Sequence, residues 1–287
     1  MKAVVRCLAC FVRQGARAAM LSTDDPALQH KALNETMRRI QGLSLDASPA
    51  LLSDVVYAAV REVTGVADPF AALKDETNQH ALALLPELRR KIETAADPLH
   101  TAIKVALVGN VIDLGIEHPY DLDRDLATIL GSDLTVDHYA DFARLLIDCR
   151  KLLYVCDNSG EIAFDTLLIE RLKSFTEIVA SVKSGPVIND ATMKDAQDVG
   201  LCDLVPVIET GAAAVGVDWT RASDEFKRAF DTADIILAKG QGNIETLDER
   251  PEEIFFLLKA KCNVIAEALG VREGDTLFLR GRAPRGS

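Results

Sequence analysis

The amino-acid sequence predicts an α/β protein with a parallel sheet, preceded by a half that is nearly all helix. From about residue 10 to residue 150, apolar residues recur at helical spacing, whereas from about residue 151 short β-type runs alternate with helical stretches. Such alternation is typical of parallel sheets, because each strand returns through a crossover helix. We therefore expect a helical lobe over residues 1–150 that contributes to the site, and an α/β core over residues 151–287.

The helical half repeats apolar residues every three to four positions, as at Leu51, Val55, Ala59 and Val63. This spacing places them on one helix face. The breaks between helices fall at turn-like clusters that contain proline, which disfavours helical geometry in the residue before it. These clusters are Ser22 to Pro26, Ser48-Pro49, Asp68-Pro69, Asp97-Pro98 and His118-Pro119.

The second half contains six runs that predict strands, each followed by a polar or glycine-bearing turn. The runs are Leu152 to Cys156, Ile178 to Val182, Val187-Ile188, Leu204 to Ile208, Ile235 to Ala238 and Thr276 to Leu279. In a parallel sheet with right-handed crossovers, the carboxyl ends of these strands meet at one edge and form a ligand crevice.

The composition argues against nucleic acid and membrane partners. The chain carries 32 basic and 44 acidic residues, a formal charge of −12, which repels a polyanion over most of the surface. Arginines interrupt the apolar residues near the N-terminus, and no run of about 18 apolar residues is present to span a bilayer. We expect a cytoplasmic protein.

Six cysteines are spread through a chain that is large enough to fold without disulfides, so reduced thiols are expected. Cys7 and Cys10 form a single CxxC, which offers two ligands where a structural zinc site needs four. A buried thiol pair is the favoured interpretation, with Cys262 as a candidate third ligand.

Two of the loops after predicted strands carry oxygen ligands. Asp157 and Asn158 follow the first strand, and a Ser-Gly turn after them opens the next helix with free N–H groups, an arrangement that suits a hard cation beside a phosphate. A simple Asp or Asn helix cap is an equal alternative for this loop alone. Asp190 follows the short third run, and because Thr192 and Asp195 can cap the next helix, Asp190 is available for another role. Taken alone, a solvated turn aspartate is the favoured interpretation of Asp190; the ligand role gains support because Asp157 and Asp190 are expected at the same sheet edge.

A third loop, Lys239-Gly240-Gln241-Gly242-Asn243, combines a cation with two glycines that permit close approach of a ligand. It matches neither the Rossmann fingerprint nor the Walker motif. All five histidines lie in the helical half, so a histidine-rich zinc site at the sheet edge is disfavoured and oxygen ligands favour Mg²⁺ or Mn²⁺. In the helical half, Asn110 and Asp113 share one face of an apolar helix, where they contact either substrate or a structural hydrogen-bond partner.

These motifs resemble the damage-control phosphatase family, which is also described through an acidic-residue methyltransferase activity. The resemblance covers most of the chain and is closest to the compact prokaryotic branch with a CxxC. It rests on Cys7-Leu-Ala-Cys10, Gly109-Asn110-Val-Ile-Asp113, Asp157-Asn158-Ser-Gly-Glu161 with Phe164-Asp165, Ile188-Asn189-Asp190-Ala-Thr192, Lys239-Gly-Gln-Gly-Asn243 and Lys261-Cys262.

The resemblance implies a helical lobe packed on a Rossmann-like α/β/α three-layer core. It also implies one divalent metal ion, cobalt, nickel, manganese or magnesium, held by Asp157, Asn158 and Asp190, which are the expected catalytic residues. Lys239 would then bind the phosphate, and Asn110 and Asp113 would line the substrate pocket. The same loops add Ser159, Gly160, Glu161, Asn189 and Asn243 to the expected phosphate- or substrate-binding residues.

The expected activity is metal-dependent hydrolysis of a small phosphorylated metabolite, such as a sugar phosphate or a phosphopantetheine-type compound. Lys239 and the N–H groups after Asn158 would neutralise charge in the transition state. One alternative is an S-adenosylmethionine-dependent carboxyl methyltransferase, although the loop after the first strand has a single glycine and two acidic groups. A non-catalytic metabolite-binding protein on the same scaffold is the other.

Overall fold

A computed structural model describes residues 1–111 and 130–281 of the chain, apart from the side chains of residues 109–111. The Asn110 side chain and Asp113, which we predict to line the substrate pocket, lie outside the described part.

The described residues form helices separated by short turns, and seven strands. The helices are Val5–Ser22 (α1), Pro26–Ile40 (α2), Pro49–Leu52 (α3), Asp54–Thr64 (α4), Ala71–Glu93 (α5), Pro98–Val111 (α6), Tyr139–Leu146 (α7), Glu161–Leu172 (α8), Met193–Asp198 (α9), Leu201–Leu204 (α10), Asp224–Thr232 (α11), Gly240–Leu247 (α12) and Asn263–Leu269 (α13). The strands are Val136–Asp137 (β1), Lys151–Val155 (β2), Glu177–Val182 (β3), Val207–Glu209 (β4), Ile235–Lys239 (β5), Ile254–Lys259 (β6) and Thr276–Arg280 (β7).

Three of the predicted proline breaks are helix starts, because Pro26, Pro49 and Pro98 each occupy the first helical position. Proline suits that position, since its missing N–H has no intrahelical partner there. At the start of α2, Asp25 also caps the helix by accepting a hydrogen bond from Ala27 N at 2.9 Å.

The strands form one sheet in the order β1-β7-β6-β5-β2-β3-β4. All neighbouring pairs are parallel except β6 and β7. From β2 the chain proceeds outward through β3 and β4, and it then returns to β5 on the other side of β2 before proceeding through β6. The strand order therefore reverses between β2 and β5, and such a switch point is where open α/β sheets bind ligands.

The core consists of two large apolar clusters, and alternate residues of the central strands belong to different clusters. In β2, Leu152 and Tyr154 belong to one cluster, and Leu153 and Val155 belong to the other. Because successive side chains of a strand point to opposite faces, the two clusters cover the two faces of the sheet. The α/β class that the sequence predicts is thus confirmed.

The first cluster also contains apolar residues of α5 and α6, so residues on both sides of position 150 share one core. Strand β1, from the first 150 residues, pairs with β7 at the edge of the sheet. The division of the chain at residue 150 stays a prediction.

Two strand predictions differ from the structure, and two of its strands, β1 and β6, are absent from the prediction. Val187 and Ile188 form no strand but lie in a turn, where Ile188 has a φ of 45°. The run from Leu204 contains a short helix end and a strand that begins only at Val207. Strand β1 has only two residues, and the apolar run of β6 is followed by Ala260-Lys261-Cys262, which contains none of the turn residues that mark the other strand ends.

Within the described residues, no helix is both long enough and apolar enough to cross a bilayer. All six cysteines are described and none forms a disulfide.

Candidate metal centre

The switch point between β2 and β5 brings two of the predicted loops together. Asp157 lies just after β2, and Gly240 begins α12 directly after β5 with a φ of 79°. A Cβ atom on residue 240 would overlap the carboxylate of Asp157. Glycine is therefore needed at this position, both for the backbone conformation and for the close approach of the aspartate.

The loop that carries Asp190 is bonded to the loop that carries Asp157. Ala191 N donates to Asp157 O, and Ser159 N donates to Asn189 O, both at 2.8 Å. Asn158 and Asp190 face each other across an isolated β-bridge. The structure thus brings together the three residues that we predict to bind metal, although Asp190 follows a turn rather than a strand.

Asn158 has an orientation that is set by its acidic neighbours. Its Nδ2 donates to Asp157 Oδ2 at 2.7 Å and to Glu161 Oε2 at 3.1 Å. Because these two acceptors use the amide hydrogens, the Oδ1 atom is the one that can serve as a ligand.

Burial makes both aspartates hard to ionise. For Asp157, burial and then the nearby charges of Glu161 and Asp190 raise the pKa to about 8. For Asp190, burial raises the pKa to about 6, against the lowering effect of the Lys183 ammonium. Asp190 Oδ2 forms no hydrogen bond with the described residues, and Lys183 Nζ lies 3.5 Å from it.

These observations fit a hard divalent cation. The donors are two carboxylates and an amide oxygen, the groups that Mg²⁺ and Mn²⁺ prefer. Among the residues that the structure describes, no group of three His, Cys, Asp or Glu side chains converges in a metal-binding arrangement. A site here therefore depends on the Asn158 amide as the third protein ligand, with Asp157 and Asp190 as the carboxylates.

The Lys239 side chain points into the protein interior and not, as we predict for a phosphate-binding residue, into the crevice. Its side chain is fully buried, and its Nζ donates to Asp165 Oδ1 at 2.6 Å, to Ala106 O at 3.0 Å and to Glu161 Oε1. Burial disfavours the ammonium, but the charges of Asp165 and Glu161 outweigh this effect and raise the pKa of Lys239. The ammonium lies in a closed ion cluster, where Tyr154 OH also donates to Asp165 at 2.6 Å.

The predicted cradle of N–H groups after Asn158 is also closed. Gly160 N donates to Asn78 Oδ1 at 2.6 Å, and Glu161 N donates to Ser159 O at 2.8 Å. Since Ser159 N is taken by Asn189 O, the first N–H groups of this turn all have protein acceptors. The structure therefore corrects the expectation that Ser159, Gly160 and Glu161 bind phosphate through their backbone.

The Asn243 side chain binds backbone carbonyl groups in this structure. Its hydrogen bonds give no support for the predicted contact with phosphate. Its buried Nδ2 donates to Lys239 O at 2.7 Å and to Cys156 O at 3.2 Å, which ties the end of β5 to the end of β2. Asn189 contributes its backbone carbonyl to the pairing of the two loops.

Sequence reasoning gave no role to three lysines that act on the aspartates. Lys183, Lys74 and Lys261 all favour ionisation of Asp190, and Lys261 is the exposed member of the three. Lys183 directly follows β3, so the rule that polar residues at strand ends meet would have identified it. Lys74 lies on α5, far away in sequence, and no local signal marks it.

The fold and this oxygen-rich crevice define an α/β protein with a ligand site at the switch point of its sheet. The sequence model of the damage-control phosphatase ARMT1-like domain matches residues 3–277. The chain belongs to the damage-control phosphatase family.

Similar proteins support this assignment over nearly the full chain. A damage-control phosphatase of Pyrococcus horikoshii is 34% identical over 287 residues, which cover 98% of this chain and 99% of that protein. One of Archaeoglobus fulgidus is 33% identical over 281 residues, 96% of this chain and 98% of that one. The crystal structure of a DUF89 family protein from P. horikoshii superposes with a TM-score of 0.91 at 34% identity, over 98% of this chain and 100% of that one.

Proposed function

We propose that this protein is a divalent-metal-dependent phosphatase that hydrolyses a small phosphorylated metabolite. The observation that carries the proposal is the pair of buried carboxylates of Asp157 and Asp190, on two loops that are bonded to each other and on which Asn158 faces Asp190 across a β-bridge. Buried carboxylates with raised pKa values cluster at functional sites, because burial and nearby like charges are the means by which such sites shift a pKa. The names of the relatives support the phosphatase activity.

In this proposal, neighbouring residues keep the protein's metal-binding side chains in the orientation that an ion requires. Asp157, Asn158 and Asp190 would hold one divalent ion, which supplies a Lewis acid for a phosphoryl oxygen and lowers the pKa of water. Glu161 and Asp157 each accept a hydrogen bond from Asn158 Nδ2, which leaves Asn158 Oδ1 available as a ligand. Lys239 Nζ donates to the other carboxylate oxygen of Glu161, Oε1, and so fixes the position of Glu161.

The charge of the phosphate needs cations at the crevice, since Lys239 faces the interior. Lys183 lies 3.5 Å from Asp190 Oδ2, and the exposed Lys261 favours ionisation of both Asp157 and Asp190. We assign to Lys261 the contact with the phosphate at the rim, and to Lys183 the neutralisation of charge inside.

The test is a phosphatase screen over sugar phosphates, nucleotides and phosphopantetheine derivatives. It is run with Mg²⁺, Mn²⁺, Co²⁺ or Ni²⁺, and again with a chelator. We expect metal-dependent phosphate release that falls by at least about a hundredfold in Asp157→Ala and Asp190→Ala, because ligand loss exceeds the usual cost of changing a supporting residue. Asp231→Ala, an exposed aspartate of α11, serves as the matched control.

Release of phosphate from no compound with any metal would overturn the proposal. Methyl transfer from S-adenosylmethionine without added metal would replace it with the methyltransferase alternative. Tight binding of a phosphorylated compound without turnover would instead indicate a metabolite-binding protein.

A further inference from the structure

Helix α5 presents a buried polar face to the metal-ligand loops. Lys74, Thr77 and Asn78 are spaced so that they share one helix face, and all three are buried although polar. Asn78 is 2% exposed and Lys74 is 4% exposed. Buried polar groups need partners, so this face must be matched by acceptors and donors on the elements that it covers.

One side chain on this face bonds to both halves of the candidate metal centre. Asn78 Oδ1 accepts a hydrogen bond from Gly160 N at 2.6 Å, in the turn that directly follows Asp157 and Asn158. Asn78 Nδ2 donates to Asp195 Oδ1 at 2.9 Å, in the first turn of α9. The amide thus links the loop of one metal-ligand candidate to the helix that follows the other.

Asp195 transmits this contact to the Asp190 loop. Its Oδ2 accepts from Thr192 N at 2.8 Å and from Thr192 Oγ1 at 2.6 Å, which fixes the start of α9 two residues after Asp190. Lys74 Nζ lies 3.1 Å from the same Oδ2 and compensates its charge. The position of α9, and with it the end of the Asp190 loop, is therefore tied to α5.

We propose that Asn78 is a positioning residue that holds the Asp157 loop and the Asp190 loop at the separation a divalent ion requires. This inference rests on the proposed function only in taking these aspartates as metal ligands. The amide does both tasks, because its oxygen accepts from Gly160 N while its nitrogen donates to Asp195. An aspartate at position 78 would accept but not donate, and it would face the carboxylate of Asp195.

The experiment measures Mn²⁺ affinity of the full-length protein by titration calorimetry, independently of turnover. We expect Asn78→Ala and the near-isosteric Asn78→Asp to bind Mn²⁺ about 10- to 100-fold more weakly than wild type, the usual cost of losing a residue that supports a ligand. Combining Asn78→Asp with Asp195→Asn restores one donor and one acceptor in exchanged order, with the same net charge. We expect this double variant to recover most of the affinity.

Two controls separate positioning from general destabilisation. Gln79→Ala changes the exposed neighbour on the same helix, and Ile92→Ala removes apolar packing near the C-terminal end of α5, 14 positions along the helix from Asn78. Both should bind Mn²⁺ as wild type does, even where Ile92→Ala lowers the melting temperature as much as Asn78→Ala.

Wild-type affinity in folded Asn78→Asp, or equal loss in Ile92→Ala, would overturn the inference. Wild-type protein that binds Mn²⁺ but hydrolyses no phosphate ester would overturn the proposed function alone, because Asn78 is judged by affinity. Wild-type protein that binds none of the four metals would overturn both.

Discussion

A buried ion cluster lies behind the candidate ligands and determines how Asn158 is oriented. Lys239 holds Glu161 and Asp165, which lie four residues apart on α8, and Glu161 in turn accepts from Asn158 Nδ2. All three charged side chains are fully buried, so each depends on the others for compensation. Lys239 therefore acts on the candidate ligand Asn158 through Glu161 and not by direct contact.

Replacing Lys239 should damage folding before it damages substrate binding. We expect Lys239→Met to lower the free energy of unfolding by about 3–5 kcal/mol, because it leaves two buried carboxylates without their cation. Urea denaturation followed by circular dichroism measures the change. Lys194→Met is the matched control, since Lys194 likewise pairs with two carboxylates but its side chain is 63% exposed. This substitution should lower the free energy of unfolding by less than about 1 kcal/mol. A folded Lys239→Met protein of normal stability with a raised KM would instead show that Lys239 binds phosphate.

The sequence identified the loop residues of the site better than their roles. Asp157 and Asn158 were predictable because they follow a strand of the sheet, whose strand ends meet at one edge. Asp190 follows a turn, and the resemblance to the family is what singled it out. The direction of the Lys239 side chain depends on Glu161, the first residue of α8, and on Asp165, about one turn further along α8. The four-residue spacing of these two carboxylates is the sequence feature that indicates it. Asn78 had no such sign, because its partners lie 82 and 117 residues away.

At the scale of elements, the turn from β5 to α12 sets how closely the two central loops approach. Gly240 has a left-handed φ of 79° and faces the Asp157 carboxylate. Gly270, at the end of α13, has a similar φ of 72°, but a Cβ atom there would meet nothing within 4 Å. Substitution of Gly270 therefore tests the left-handed backbone conformation alone, whereas substitution of Gly240 tests that conformation together with the clash against Asp157.

We expect Gly270→Ala to destabilise the protein by about 1 kcal/mol, the usual cost of a side chain in left-handed geometry. Gly240→Ala pays the same cost and also displaces Asp157, so it should lower the melting temperature further and abolish metal-dependent phosphate release. Thermal denaturation with a phosphatase assay distinguishes the two variants. Equal effects on stability and activity would show that the contact with Asp157 is unimportant.

The strands were predictable where apolar and turn residues alternate clearly, as in β2, β3, β5 and β7. Strand β6 was not, because Ile254–Lys259 is followed by Ala260-Lys261-Cys262 and not by a glycine-bearing turn. Burial on both faces does not explain the difference, since β5 is buried to the same degree. The opposite error occurred at Val187-Ile188, where two β-branched residues suggest a strand but the backbone turns. Local preference was overridden there by the bonds that join Asp190 to Val187 and Ala191 to Asp157.

At the scale of the whole molecule, the acidic surface contrasts with the lysines around the site. The formal charge is −12, yet Lys74, Lys183 and Lys261 all act on Asp190. Under the proposed function, a small phosphorylated ligand would meet repulsion over much of the surface, and the bound metal ion together with these lysines would supply the attraction at the crevice.

The raised pKa values couple metal binding to pH for the whole fold. Unfolded, Asp157 and Asp190 return to an ordinary pKa near 3.8, whereas the metal-free native state raises them to about 8 and about 6. Between these limits the native state holds protons that the unfolded chain releases, so metal-free stability falls as pH rises through this window. Metal binding requires ionised carboxylates, so Mn²⁺ must displace those protons, and its affinity should rise with pH.

We therefore expect the increase in melting temperature caused by Mn²⁺ to be larger at about pH 8 than at about pH 6, since the pKa of Asp157 is about 8. In the chelated protein, we expect the melting temperature itself to be lower at about pH 8 than at about pH 6, because the native state then loses the protons on these carboxylates. Asp157→Asn removes the group with the larger shift and should flatten the pH dependence of the chelated protein, whereas Asp231→Asn, an exposed change on α11, should follow wild type. A Mn²⁺ effect of equal size at both pH values would contradict the coupling, because it would mean that Asp157 and Asp190 are already ionised in the metal-free fold.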